Sequence, residues 1–381
     1  MPGYDVIVLG AGAMGSAAAY YLAKAGQRVL LLEQFEIDHQ KGSSYGLSRL
    51  IRYSYNDPRY VKLVRAAFPL WHALEEATGE TLYMQCGGID FGNPSSKYLQ
   101  DTMRSLREMD IAHEILTPEE GRKRFPQFNF TDDMVVVYQP DAGLLKVSAC
   151  VKAHVRLAEQ HGATIRDNTP VLDVRIHDDS VEVDVEGETI TADRLVVTAG
   201  GWAGRLLQRV GLNLPLEVQR CQVMFLKPKD GDMTPYQIGQ MPAFIGVRSD
   251  DVMDSIYGMP DYEGTGFKAA YHQGQPVAHP SEVNYTPDAD LLDRSREDIG
   301  RDFPVLLDAE LSLARVCLYT VTPDEDFVID HHPHHSNVVI AAGFSGHGFK
   351  FSTLIGSILK DLSMTGETEH DLSLFKIDRF N

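Results

Sequence analysis

Apolar positions in this chain follow two spacings, and the order of the two outlines a fold. The run Tyr4-Asp5-Val6-Ile7-Val8-Leu9 reads as a strand, residues 16–25 as a helix, and the apolar run 28–32, ending on Glu33, as a second strand. From residue 60 to 78, Val61, Val64, Phe68, Trp71 and Leu74 recur at helical spacing and predict an amphipathic helix. Between 82 and 145 the character changes. Short strand-like runs at 87–92 and 134–138 flank a charged helical stretch at 95–109, and Thr117-Pro118-Glu119-Glu120 marks a helix start. Residues 147–161 return to helix, and 164–176 and 181–185 to strands. The apolar run 193–202 reaches Gly200-Gly201, as a buried strand does on entering a loop that approaches something closely. Aromatic and β-branched strands follow at 222–226, 243–247, 255–257 and 266–272, then a helical stretch at 288–303. Apolar runs at 317–320, 327–330 and 337–343 lead into Phe344-Ser345-Gly346-His347-Gly348-Phe349-Lys350 and a helix to 363.

This interleaving predicts an α/β protein of two domains, as a chain of 381 residues suggests. A Rossmann-like nucleotide-binding domain takes residues 1–81, 146–214 and 317–381. An α+β substrate domain, built on a mainly antiparallel sheet, is inserted as 82–145 and 215–316.

The turn Gly10-Ala11-Gly12-Ala13-Met14-Gly15 gives the first domain its chemistry. The first glycine permits the turn, the second lets a phosphate approach the backbone, and the third lets the helix pack on the strand. The helix N-terminus then points unpaired N–H groups at an anion, and Glu33 can accept hydrogen bonds from ribose hydroxyls. Glu33 disfavours a 2′-phosphate, leaving FAD or NAD. The second glycine turn, 343–350, also follows a strand and precedes a helix. Two such turns can converge on one large cofactor, and FAD is long enough to use both. The helix near Phe349 would direct its positive end at the flavin ring. Lys350 there suits a carboxylate, or is an ordinary surface lysine.

Composition narrows the partners. The formal net charge of −19 argues against nucleic acid and anionic membranes, which attract basic patches. No apolar run approaches the ~20 residues of a membrane span, and no basic leader precedes the first strand, so a cytoplasmic enzyme is expected. Cys86, Cys150, Cys221 and Cys317 form no CxxC pair; for the first three a small buried thiol is expected. The tract His331-His332-Pro333-His334-His335 is expected to be a turn rather than a metal site. Arg49 and Arg52, three apart, would share one helical face, where a solvated basic turn is the plainer alternative.

Five segments resemble the monomeric sarcosine oxidase and N-methyltryptophan oxidase family. They are residues 10–15, 42–52 (GSSYGLSRLIR), 314–320 (ARVCLYT), 323–330 (PDEDFVID) and 343–351 (GFSGHGFKF), in order and at matching spacing. The resemblance implies covalent FAD, carried through a thioether from Cys317 to the flavin 8α-methyl. It implies a substrate carboxylate held by Arg52 and Lys350, Arg49 beside the flavin ring, Lys268 near flavin N5 in oxygen activation, and His272, Tyr257 and Tyr319 around the substrate amine. The expected cofactor contacts are Gly10, Gly12, Ala13, Met14, Gly15, Glu33, Gln34, Gly42, Ser43, Ser44, Arg49, Val171, Ala199, Gly200, Trp202, Cys317, Gly343, Gly346, Gly348, Phe349 and Lys350. The implied reaction oxidises the C–N bond of a secondary or tertiary amine to an imine that water hydrolyses, with O2 reduced to hydrogen peroxide, in a monomer. Tyr45 departs from the family, which has a histidine there, and the stretch 258–266 is acidic. The side chain of the substrate therefore stays open between sarcosine, another N-methyl amino acid, a cyclic imino acid and a fructosyl amino acid. Two competing readings are a dehydrogenase of the same fold that serves a quinone or carrier protein, and an FAD-binding assembly factor without a substrate.

Overall fold

The computed structural model describes residues 3–380. Its first sheet is built around the strand Tyr4–Leu9, which lies parallel between Val29–Leu32 and the end of Glu188–Val197. Thr164–Arg166 extends it in parallel beyond Val29–Leu32, and His335–Ala342 does so beyond Glu188–Val197. An antiparallel wing, Asp173–Ile176 and Val181–Val185, continues from the first half of Glu188–Val197, and Val328–His332 closes the other edge. The buried run Val6, Ile7, Val8, Leu9 explains why Tyr4–Leu9 is central: strands covered on both faces are continuously apolar.

Helices Ala13–Lys24, Val147–Gln160 and Ser352–Thr365 pack together over one face of this sheet. The first and last approach so closely that a Cβ at Gly356 would lie 2.5 Å from the Ala17 backbone. The helix Pro58–Thr78 begins with Asp57, whose side chain accepts from Arg59 N, and ends on Gly79 in the left-handed conformation. Its apolar face, including Trp71, joins the same core.

The second sheet has nine strands. Gln275–Val277, Glu217–Lys227, Phe267–Tyr271, Ser255–Met259 and Ala243–Val247 pair in turn. Gly88–Gly92, Val135–Gln139 and Glu114–Leu116 continue the order. All ladders are antiparallel except Ala243–Val247 on Gly88–Gly92. Its core is aromatic: Phe91, Phe128, Phe130, Phe244, Phe267 and Phe303 pack with ring centroids 4.8–6.4 Å apart.

The strand Glu310–Val321 pairs along Glu217–Lys227, so the boundary expected at 316/317 falls inside a strand of this second sheet. A second expectation is corrected. Arg49 and Arg52 do not share a helical face, because Ser48–Ile51 is a strand, held antiparallel to Gly143–Lys146 in a small three-stranded sheet with Tyr83–Gln85. The pattern of charge in 48–52 could not reveal a partner so distant in the chain. The histidine tract is a hairpin turn, with His332 opposite His335 and His332 Nε2 3.1 Å from Val210 O.

Candidate active site

The first turn is shaped by contacts that only glycine permits. Gly10 has φ +97° and a Cβ there would lie 2.7 Å from Thr198 O; a Cβ on Gly15 would lie 1.8 Å from Gly10 O. With Gly15 behind it, the helix Ala13–Lys24 begins at the turn itself, and no side chain caps it at Gly12. Ala13 N donates to Ser44 Oγ at 3.0 Å, which fixes the glycine-rich 42–46 loop over the helix start. Buried Glu33 accepts from Ala11 N at 2.8 Å through one oxygen and from Phe35 N at 3.1 Å through the other. Each oxygen keeps a further lone pair for a hydroxyl donor.

These groups open on a cavity of about 350 Å³. Gly10, Gly12, Ala13, Met14, Glu33, Gln34, Gly42, Ser43, Ser44, Arg49, Val171, Ala199, Gly200, Trp202, Gly343, Gly346, Gly348 and Phe349 all line it. Both glycine turns therefore face one space. A helix N-terminus for a pyrophosphate, a buried acid for a ribose and a second helix-opening turn at Gly348–Phe349 make a donor set that fits FAD. Thr198, Thr169, Arg205 and Arg209 also line the cavity and were not singled out from the sequence. Thr198 had a signal, since it ends the apolar run before Gly200; the other three had none.

A second cavity, about 300 Å³, shares Arg49, Tyr319, Gly346 and Phe349 with the first. Arg52, Tyr257, His272 and Lys350 line it. Arg52 is buried, donating to Ser54 Oγ at 2.8 Å and Tyr98 OH at 3.3 Å, with Asp90 Oδ1 at 3.9 Å. Burial opposes its charge, but Tyr98, Asp90 and Tyr55 outweigh it and hold the guanidinium charged. Asp90 is pushed up by burial, against the pull of Arg52. Lys350 Nζ donates to Tyr55 OH and to His347 O, both at 2.8 Å. Burial, and then the charge of Arg52, push its ammonium well below the usual lysine range. His272 is pushed down to about 3 by burial, then by Lys350 and Arg52, so its imidazole is neutral. Burial pushes the Tyr257 and Tyr319 phenols up, so both keep their protons. Tyr98, on the helix Lys97–Glu108, and His347, inside the second glycine turn, complete this wall without having been picked out from the sequence.

Lys268 stands behind the shared wall. Its Nζ donates to Ser48 O at 3.2 Å and lies 5.3 Å from the centre of the Tyr257 ring. Burial and then Arg49 push it well below the usual lysine range. Cys317 is buried one residue back from Leu318, Tyr319 and Thr320, which line the first cavity. It packs with Tyr45, Cys221 and Tyr319. Tyr45 OH donates to Val316 O, and burial pushes the phenol up to about 12.

A Rossmann-like sheet with an acid-terminated glycine turn, joined to a cationic cavity in a second domain, defines a flavin-type oxidoreductase. The chain belongs to the FAD dependent oxidoreductase (DAO) family, whose model matches residues 5–362. It is 38% identical to a monomeric sarcosine oxidase of Bacillus sp. (strain B-0618) over 99% of this chain and 96% of that protein. It is 33% identical to an N-methyl-L-tryptophan oxidase of Yersinia pestis (strain Pestoides F), over 99% of each chain. Glycine oxidase from Geobacillus kaustophilus shares the fold, with a TM-score of 0.83, 23% identity and 99% coverage of both chains.

Proposed function

We propose that this enzyme oxidises the C–N bond of a secondary amine bearing a carboxylate, sarcosine or another N-alkyl amino acid, to an imine that water hydrolyses. The observation that carries this reading is the meeting of Arg52 and Lys350, from distant parts of the chain, on a cavity that shares a wall with the nucleotide crevice. Two buried cations so placed suit a carboxylate, and its charge would restore the proton that burial loosens on Lys350. The same cations, with a neutral His272 and protonated Tyr257 and Tyr319, disfavour an ammonium beside them. The amine is thus held with its lone pair free.

FAD, when bound, supplies the two-electron acceptance from that bond and the passage of those electrons to O2, giving hydrogen peroxide. Arg49 places a fixed positive charge on the shared wall, and Lys268, whose ammonium burial loosens, stands behind it, where negative charge developing on oxygen would hold its proton and be stabilised in turn. Cys317 carries the flavin through a thioether. The enzyme acts as a monomer in the cytoplasm, and it resembles a relative named as monomeric.

The test is anaerobic mixing with a panel of N-methyl and cyclic amino acids. Bleaching of the flavin absorbance, followed by peroxide on admitting air, is expected; failure of every carboxylate-bearing secondary amine to bleach it overturns the reading. Bleaching without peroxide would assign the electrons to another carrier. Denatured, acid-washed protein is expected to stay yellow, and quantitative release of the colour would remove Cys317 from its role.

A further inference from the structure

Cys221 and Cys317 stand directly opposite each other on the antiparallel strands Glu217–Lys227 and Glu310–Val321. Both are free, buried thiols in one small cluster with Tyr45, Met253, Tyr319 and Val321. Opposed residues send their side chains to the same face of a sheet. Their Cα atoms lie about 5.5 Å or about 4.5 Å apart, depending on whether the pair exchanges hydrogen bonds. Both spacings fall within the ~4.4–6.8 Å that a disulfide spans. Burial first, and then the neighbouring Cys317, push the Cys221 thiol up. Room for the Cys221 sulfur is kept by a glycine, since a Cβ at Gly274 would lie 2.5 Å from Cys221 Sγ.

We infer that Cys221 and Cys317 close into a cross-strand disulfide in the chain that carries no covalent flavin, and that this bond blocks flavin attachment. The second half rests on Cys317 being the attachment point. The first half does not. The oxidant is hydrogen peroxide, released by flavin-loaded copies of the enzyme as they run the proposed reaction: two thiols and one H2O2 give one S–S bond and two waters. Both S–H bonds break, the sulfurs lose two electrons, and the O–O bond is reduced. Leu318 and Tyr319, next along the strand, line the nucleotide crevice, so Cys317 stands one residue from that open space. Once a thioether is made at Cys317, Cys221 has no partner and remains a thiol.

The full chain, produced in riboflavin-limited cells, is treated with a small excess of hydrogen peroxide. Two of its four thiols should be lost, and a linked pair of peptides containing Cys221 and Cys317 should appear, lighter by two hydrogens and separated by reductant. Addition of FAD should then give roughly tenfold less acid-stable flavin than in the reduced chain, restored by dithiothreitol. Cys221→Ser and Cys221→Ala should accept flavin in the reduced state as the parent does, with no cross-link after peroxide. Cys317 recovered as a sulfinic acid, bonded to another cysteine, or still a free thiol overturns the inference. If the reduced chain also takes up no acid-stable flavin, the attachment reading fails, and the peptide map still decides the disulfide.

Discussion

Burial opposes the charge of both Lys350 and Arg52, but at Arg52 the neighbours Tyr98, Asp90 and Tyr55 outweigh it, and the difference is measurable. If the two hold the substrate carboxylate as proposed, replacing either by Met would remove a charged hydrogen-bond donor to it, and kcat/KM for the amino-acid substrate should fall roughly ten- to hundredfold. Because the Lys350 ammonium is held below its usual range, its charge is lost as pH rises through that lowered value. Affinity for a simple carboxylate inhibitor should therefore weaken towards alkaline pH, and Lys350→Arg should flatten the dependence in a titration followed by flavin absorbance. Lys268→Met should leave the anaerobic bleaching rate nearly unchanged and slow reoxidation by O2 by roughly a hundredfold or more in stopped-flow traces. Glu325 is a different kind of residue. It lines the second cavity, has φ +62°, and its carboxyl is pushed from 4.5 up to about 7 by burial and then by Asp251, Asp326 and Asp324. A carboxyl raised on folding contributes stability that is fully present below 4.5 and lost as pH rises through about 7. Glu325→Gln should thus gain in Tm relative to the parent as pH rises across that window.

Among the elements, the turn from Tyr4–Leu9 into Ala13–Lys24 has the least freedom. Gly15→Ala would force a methyl into the Gly10 carbonyl, 1.8 Å away, and should abolish flavin retention and lower Tm in a thermal melt. Gly204 is the contrast. It lies within the helix Ala203–Arg209, a Cβ there meets nothing within 4 Å, and Gly204→Ala should stabilise by about 0.5–1 kcal/mol in denaturant unfolding. The strand Ser48–Ile51 shows where local pattern misleads. Two arginines three apart suit a helix face, yet pairing with Gly143–Lys146 decides otherwise, and a Cβ on Gly143 would lie 2.4 Å from Met84 O. The strand Glu310–Val321 teaches the same lesson: its alternating apolar run suits either sheet, and its ladder with Glu217–Lys227 chooses.

In the molecule as a whole, the nucleotide crevice and the cationic cavity share Arg49, Tyr319, Gly346 and Phe349, so the two domains are joined through the walls of the site. FAD binding should therefore raise the Tm of the flavin-free chain, by about 4 kcal/mol of added stability at a thousandfold excess over Kd. If Cys317 carries the flavin as proposed, further FAD should change the Tm of the loaded chain no more. Scanning calorimetry with and without reductant reads both outcomes.

The sequence by itself determined the nucleotide turn, because Gly10, Gly12, Gly15 and Glu33 act within one βαβ unit whose chemistry is local. It also placed the second glycine turn, and its motifs marked Arg52, Lys350 and Cys317 as a set. Only the tertiary structure decided that Arg52 and Lys350 face one cavity, that Arg49 belongs to a strand, and that Cys221 lies across from Cys317. Spacing along a chain reports its own helix or strand, whereas a site is made by register and packing between segments far apart, which no single segment encodes.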